Sequence, residues 1–218
     1  MHLETINRDD QLQQEASQEN TSGDRLEEIA NISVELARLV ANNLATPPQL
    51  LTKLSRSQDF LTRRNVATNP NTPSEILIEL ANEFPDEFFS NPVLNLITLE
   101  SPRFFELIPI NTLIRLSQSE AASDYFLRAV ENLMLKSSKK PIINYPRHRQ
   151  QEQDEHDDAV FELSLIMINN PRSSFDFIKK MLSHSDPFIQ ENVQLHIANS
   201  GEITGDWKEK AQKLIPHT

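Results

Sequence analysis

Little in this chain is placed to do chemistry. Of its six histidines, His2, His148, His156, His184, His196 and His217, no two stand at the i, i+3 or i+4 spacing that sets two imidazoles on one helix face for a metal. His184 and His196 are 12 residues apart and can approach across neighbouring helices, although a polar rim or capping role is the simpler account. There is no cysteine, which removes disulfides, thiolate zinc sites, cysteine-held iron–sulfur clusters and cysteine nucleophiles together. The patterns G-x-S-x-G, H-E-x-x-H and the paired acids of a calcium loop are absent. Only 3 glycines occur, Gly23, Gly201 and Gly205, so no glycine-rich loop can bring backbone amides up to a phosphate. The run Asp154-Glu155-His156-Asp157-Asp158 could hold a cation loosely, and a solvated charge run is the plainer account. The chain is therefore expected to be no enzyme and to carry no metal or cofactor. The alternative is an accessory subunit of an enzyme or cofactor-handling system, lyase-like or chaperone-like, with Asp59, Glu79 and Tyr125 as the groove residues to test.

Binding is the remaining use for exposed side chains. The net charge of −11 opposes phosphate backbones and anionic lipid heads, so neither nucleic acid nor a membrane is an expected partner. No stretch approaches the roughly 18 uncharged apolar residues of a membrane helix, and the first residues lack the apolar core of a secretion signal. With no cysteine to oxidise, the cytoplasm is the expected compartment. Arg63 and Arg64, with Arg56 one or two turns away, form a basic group that could grip an acidic protein or peptide; pairing with carboxylates on neighbouring helices is the plainer role. Phe84, Phe88, Phe89, Phe104 and Phe105 gather five of the 11 phenylalanines into about twenty residues, as a docking patch or as the densest part of the core.

The elements that would position these residues come from a repeated pattern. VANNLATPPQLLTKL over Val40 to Leu54 returns as VATNPNTPSEILIEL over Val66 to Leu80, so that Asn43 and Asn69, Thr46 and Thr72, Pro47 and Pro73, and Leu54 and Leu80 each stand 26 apart. A third copy, MINNPRSSFDFIKKM, runs from Met167 to Met181, and weaker ones begin at Asn91 and near Asn199. Thr46-Pro47-Pro48-Gln49 and Thr72-Pro73-Ser74-Glu75 read as helix starts in which the hydroxyl caps, proline follows at the first helical position and Gln or Glu reaches back. Leu50, Leu51 and Leu54 then fall at helical spacing and make an apolar stripe. Between copies, Asp59 to Ala67 reads as a second short helix capped by Asp59 and stopped at Asn69-Pro70, and Asp186 to Val193 mirrors it. Helices this short bury their stripes only against neighbouring copies, which is the logic of a stacked array.

The pattern V-A-x-N-P-N-T-P-x-x-[IL]-L-x-x-L at Val66 to Leu80 resembles the variant leucine-rich repeat. The resemblance covers roughly Leu36 to Asn91, is weaker over Met167 to Asn199 and is poor between Pro92 and Leu135. It implies an all-α fold without a β-sheet: a right-handed α-solenoid of helix pairs, about 25 residues per unit, related in architecture to HEAT and armadillo arrays. A solenoid offers a long surface without a deep pocket, so with no catalytic residues in view the expected role is a scaffold that binds a protein or peptide. Some members of that family carry a cysteine cluster for an iron–sulfur centre, which this chain cannot supply. Four parts are expected: a disordered acidic tail over 1–24, a repeat array over 25–135, a charged flexible linker or insertion over 136–158, and C-terminal repeats over 159–218 that either continue the first array or form a separate lobe. The linker sets Lys136, Lys139, Lys140, Arg147 and Arg149 before Glu152, Asp154, Glu155, Asp157 and Asp158.

Overall fold

The computed structural model describes residues 2–137 and 150–199, with side-chain surroundings over 8–136 and 157–198. Among the described residues there are 13 α-helices, one 3-10 helix and no strand, as expected of an all-α chain. No helix among them is long and apolar enough to cross a membrane. The chain divides into two units between Phe104 and Phe105.

The first unit holds α1 (His2–Ser17), α2 (Gly23–Ala30), α3 (Val34–Asn42), α4 (Pro48–Leu54), α5 (Phe60–Thr68), α6 (Ser74–Ala81), α7 (Pro85–Ser90) and α8 (Val93–Glu100). Helices α1, α3, α5 and α7 form a row in which each packs on the next. Helix α2 packs on α1 and α3, α4 on α3 and α5, and α6 on α5 and α7. Each helix therefore buries its stripe against both its own pair and the following one, with Leu26, Val40, Leu51, Val66 and Leu77 fully enclosed.

What holds the row in register is a chain of buried amides. A helix ends with carbonyls that no residue of its own can satisfy. Asn43 Nδ2 donates to Ala16 O and Gln18 O at the end of α1, at 2.8 and 2.9 Å. Asn69 does the same to Ala41 O and Asn43 O at the end of α3, at 2.9 and 3.0 Å. Asn91 repeats it on Ala67 O and Asn69 O at the end of α5, at 2.8 and 3.0 Å. In each case the asparagine oxygen accepts from the amide two residues on, which closes the turn. All three asparagines are buried.

The threonines do a different job from the one their spacing suggests. The N-caps of α4 and α6 are Pro47 and Pro73, which make no side-chain cap bond. Thr46 and Thr72 instead donate back six residues, to Val40 O and Val66 O, both at 2.6 Å. Each threonine precedes a proline, which disfavours the helical region, so the helix starts one residue later and the hydroxyl lies out of reach of its amides. It satisfies the end of the preceding helix instead. Thr21 bonds Glu15 O in the same way at 2.6 Å, and in the second unit Ser173 bonds Met167 O.

That Thr21 bond belongs to a segment expected to be disordered. Residues 8–24 instead complete the first helix pair: Leu12 and Ala16 are buried one turn apart, and Gln18 to Thr21 form the repeat turn. Two apolar positions suffice because α3 covers them. In the linker, residues 138–149 lie outside the described residues, whereas 150–158 open a helix rather than a flexible strand of charges. Gln and Glu are good helix formers, and acids favour the start of a helix.

The second unit contains most of the 3-10 turn Phe104–Leu107, then α9 (Ile110–Ser117), α10 (Asp124–Ser137), α11 (Gln150–Asn169), α12 (Phe175–Met181) and α13 (Pro187–Asn199). Helix α11 packs on α9 and α13, α10 on α11 and α12, and α12 on α13. The Asp186 carboxylate accepts from Phe188 N at 2.8 Å at the start of α13, in keeping with its likeness to Asp59. Any repeat beyond Asn199 lies outside the described residues.

Candidate functional site

The residues singled out for binding are spread over several elements: Arg56 follows α4, Arg63 and Arg64 lie within α5, Phe88 and Phe89 in the second half of α7, and Phe104 and Phe105 in the 3-10 turn. Asp59 caps α5, its Oδ2 accepting from Thr62 N and Thr62 Oγ1, both at 2.8 Å. Arg38 of α3 reaches the same carboxylate with two bonds, Nε to Oδ2 at 2.9 Å and Nη2 to Oδ1 at 2.6 Å. The Arg38 fork, aided by Thr62, holds the Asp59 carboxyl well below the usual carboxylate range. A carboxylate so engaged is a poor proton acceptor, which weighs against Asp59 as a general base. Its role is to tie α3 to α5.

Arg63 grips both oxygens of Glu83, with Nε at 3.0 Å from Oε2, and donates to Ser57 O at 2.7 Å. Arg64 pairs through Nε with Glu87 of α7. Both cations are thus taken up by the acidic face, the plainer of the two expected roles. Arg56 is exposed, and no side-chain partner is found for it among the described residues.

The phenylalanines require a correction. Phe88, Phe104 and Phe105 are enclosed at 0, 2 and 3% exposure and are core, not a docking patch. Phe88 lies parallel to Phe104 with centroids 6.5 Å apart, and Phe105 meets Phe126 edge-on at 5.1 Å in the second unit. Phe89 is half-buried, edge-on to Phe88 at 5.3 Å. Short helices offer few positions, and these rings supply most of the apolar volume there.

The surface that sequence reasoning missed lies one turn away. Ile32, Val34, Phe60 and Leu61 are exposed at 56, 47, 53 and 42%, four large apolar side chains at the adjacent starts of α3 and α5. Phe60 leans on buried Phe84, the residue before α7, with centroids 5.0 Å apart. A signal was available. Val34 and Phe60 stand 26 apart, the repeat offset, yet both fall outside the buried stripe of Ala37, Val40 and Ala41 and its counterpart Val66 and Ala67. The result is an apolar ledge, held by the Arg38–Asp59 and Arg63–Glu83 bridges.

The remaining candidates lie elsewhere. Glu79 is exposed on α6, and Tyr125 of the second unit stands over Phe105 at 5.9 Å. His184 sits in the turn after α12, its Nδ1 accepting from Asp186 N at 3.1 Å, while His196 is half-buried on α13 and burial pushes its imidazole below the ordinary range. No three His, Asp or Glu side chains among the described residues are grouped so as to hold a metal ion. No family model, no curated protein and no solved structure is found to match this chain.

Proposed function

We propose that this chain is a non-catalytic scaffold, an α-solenoid of the variant leucine-rich repeat kind, which holds a protein or peptide partner against the ledge of Ile32, Val34, Phe60 and Leu61. The observation that carries the reading is that Val34 and Phe60, at equivalent positions of two consecutive repeats, are both exposed, with exposed Ile32 and Leu61 next to them in the chain. Single exposed apolar residues are ordinary on any surface, whereas a contiguous group on a rigid frame is the pattern of a docking surface. The frame is rigid because the asparagine ladder and the Arg38–Asp59 fork tie the helices together behind the ledge. Burying such side chains under an apolar residue of the partner contributes about 25 cal/mol per Å² removed from water. A cysteine-free composition suits a reducing compartment such as the cytoplasm. The rival reading, an accessory enzyme subunit using Asp59, Glu79 and Tyr125, draws no support from the engagement of Asp59.

The test uses the full chain as bait in an extract of its native cells, beside a Val34→Glu/Phe60→Glu variant and a Leu195→Glu control on the exposed surface of α13. A partner recovered with the wild type and the control, and reduced roughly tenfold or more with the double variant, supports the ledge. Equal recovery on all three baits sinks it.

A further inference from the structure

The second unit carries a cleft of different chemistry. It lies between the C-terminal half of α10 and the turn joining α12 to α13, and encloses about 610 Å³, within the usual range for small-ligand sites. Asn132, Lys136, Lys180, Ser183, His184 and Ser185 supply its polar wall, and among the described residues no carboxylate lines it. That is notable in a chain with 32 acids and 21 bases.

The wall is rich in donors. His184 Nδ1 accepts from the Asp186 amide, so Nε2 carries the ring hydrogen. Lys180 has no carboxylate partner among the described residues. Lys136 touches Glu106 with one bond at 3.1 Å and is 71% exposed, with no second carboxylate partner among the described residues. Ser183 and Ser185 add rotatable hydroxyls, and Asn132 an amide. The end of α12 presents carbonyls hostile to an anion, and three of its last four are engaged by the turn. Leu182 N bonds Ile178 O at 3.0 Å, Ser183 N bonds Lys180 O at 3.1 Å and His184 N bonds Met181 O at 3.1 Å. An adjoining cleft shares Lys180 and Ser183 and is also lined by Lys179 and Asp176 of α12.

We propose that this cleft binds a phosphate monoester dianion. Lysine binds phosphate as a compact point charge, and two lysines beside neutral donors match both the double charge and the several acceptor oxygens of such a dianion, where a carboxylate offers one charge and two oxygens. The net charge of −11 does not forbid this, because fields beyond about 8 Å are screened at physiological salt and the nearest groups decide. The site is independent of the ledge on the first unit.

The experiment is an amide-resolved NMR titration of the full chain with inorganic phosphate, with phosphoserine inside a short unstructured peptide, and with acetate, all at matched ionic strength. The expected result is saturable shifts confined to Asn132–Lys136 and Lys180–Asp186 with phosphate, and acetate weaker by roughly tenfold. Lys180→Gln weakens phosphate by roughly tenfold while the remaining spectrum is unchanged. Binding of the phosphopeptide as tight as that of phosphate assigns the site to phosphorylated protein. Binding of phosphate alone assigns it to a free small phosphate. Shifts spread over all lysines, acetate equal to phosphate, or a Lys180→Gln titration equal to wild type would overturn the proposal.

Discussion

Replacing Asn69 by alanine removes one rung of the amide ladder, and the structure says what each lost bond is worth. Ala41 O, at the end of α3, loses the Asn69 amide, its bond to the neighbouring pair, and sits where the side chain was fully enclosed. A buried carbonyl left without a partner costs about 1 to 3 kcal/mol. Asn43 O keeps its bond from Thr46 N, so its loss is smaller, about 1 kcal/mol. Asn71 N loses its acceptor on an exposed residue where water replaces it. Together these give about 2 to 4 kcal/mol of lost stability. Asn69→Asp is the diagnostic variant, because it preserves the volume but turns an acceptor toward two carbonyls, and it is expected to cost more than alanine. Asn71→Ala is the control; its exposed Nδ2 bonds Leu44 O at 2.6 Å, and its loss is expected to cost under about 1 kcal/mol. Urea unfolding gives the magnitudes, and hydrogen exchange at the amides of α3 and α5 shows where stability is lost. The reasoning is refuted if Asn69→Ala costs less than Asn71→Ala, or if Asn69→Asp is the milder of the two changes at position 69.

Other expectations follow from groups already placed. Glu131 is 3% exposed and accepts from Ser174 N and Oγ, both at 2.7 Å, and from Arg128 Nη1 at 2.6 Å. Glu131→Ala strands the half-buried Ser174 amide and leaves Arg128 held only by Arg172 O, and should cost about 2 kcal/mol in thermal or urea unfolding, whereas a loss below about 0.5 kcal/mol contradicts the assignment. Asp59 titrates below its unfolded value of 3.8, so its contribution is present above that pH and is lost as pH falls through the acid range. Asp59→Asn should flatten that part of the acid-unfolding curve, and an unchanged slope would count against the Arg38 fork. Burial lowers the pKa of His196, so stability present above its unfolded value near 6.5 is lost as pH falls below it. His196→Gln should remove that loss in a series of urea midpoints between neutral and mildly acid pH.

Much of the local architecture was legible because the repeat writes its function into a few fixed letters. Asn43 and Asn69 announced themselves by their spacing, but their reach into the preceding pair was not, since a periodic asparagine can equally close its own turn. Thr46 and Thr72 matched a helix-start pattern in spacing and chemistry. The prolines that completed the pattern are what moved the cap one residue on and freed the hydroxyls for the previous helix. The first pair was hidden because Leu12 and Ala16 look too sparse to fold alone, and only α3 makes them sufficient. Phe88 and Phe104 looked ambiguous, and burial resolved them into core. Val34 and Phe60 were missed because apolar residues invite a core assignment, and only the packing shows that the stripe beside them is the buried one. The donor wall of the α10–α12 cleft was illegible for another reason. Lys136 and Lys180 are 44 residues apart, and only the pairing of α10 with α12 brings them to one surface.

The scaffold claim is tested most directly by a photo-reactive side chain placed at position 60 in the full chain, crosslinked in the native cell, with position 49 on the exposed start of α4 as reference. The account expects a defined protein adduct at position 60 that is absent at position 49 and disappears when Val34 is changed to Glu. No adduct at position 60, or the same adducts at both positions, would contradict it.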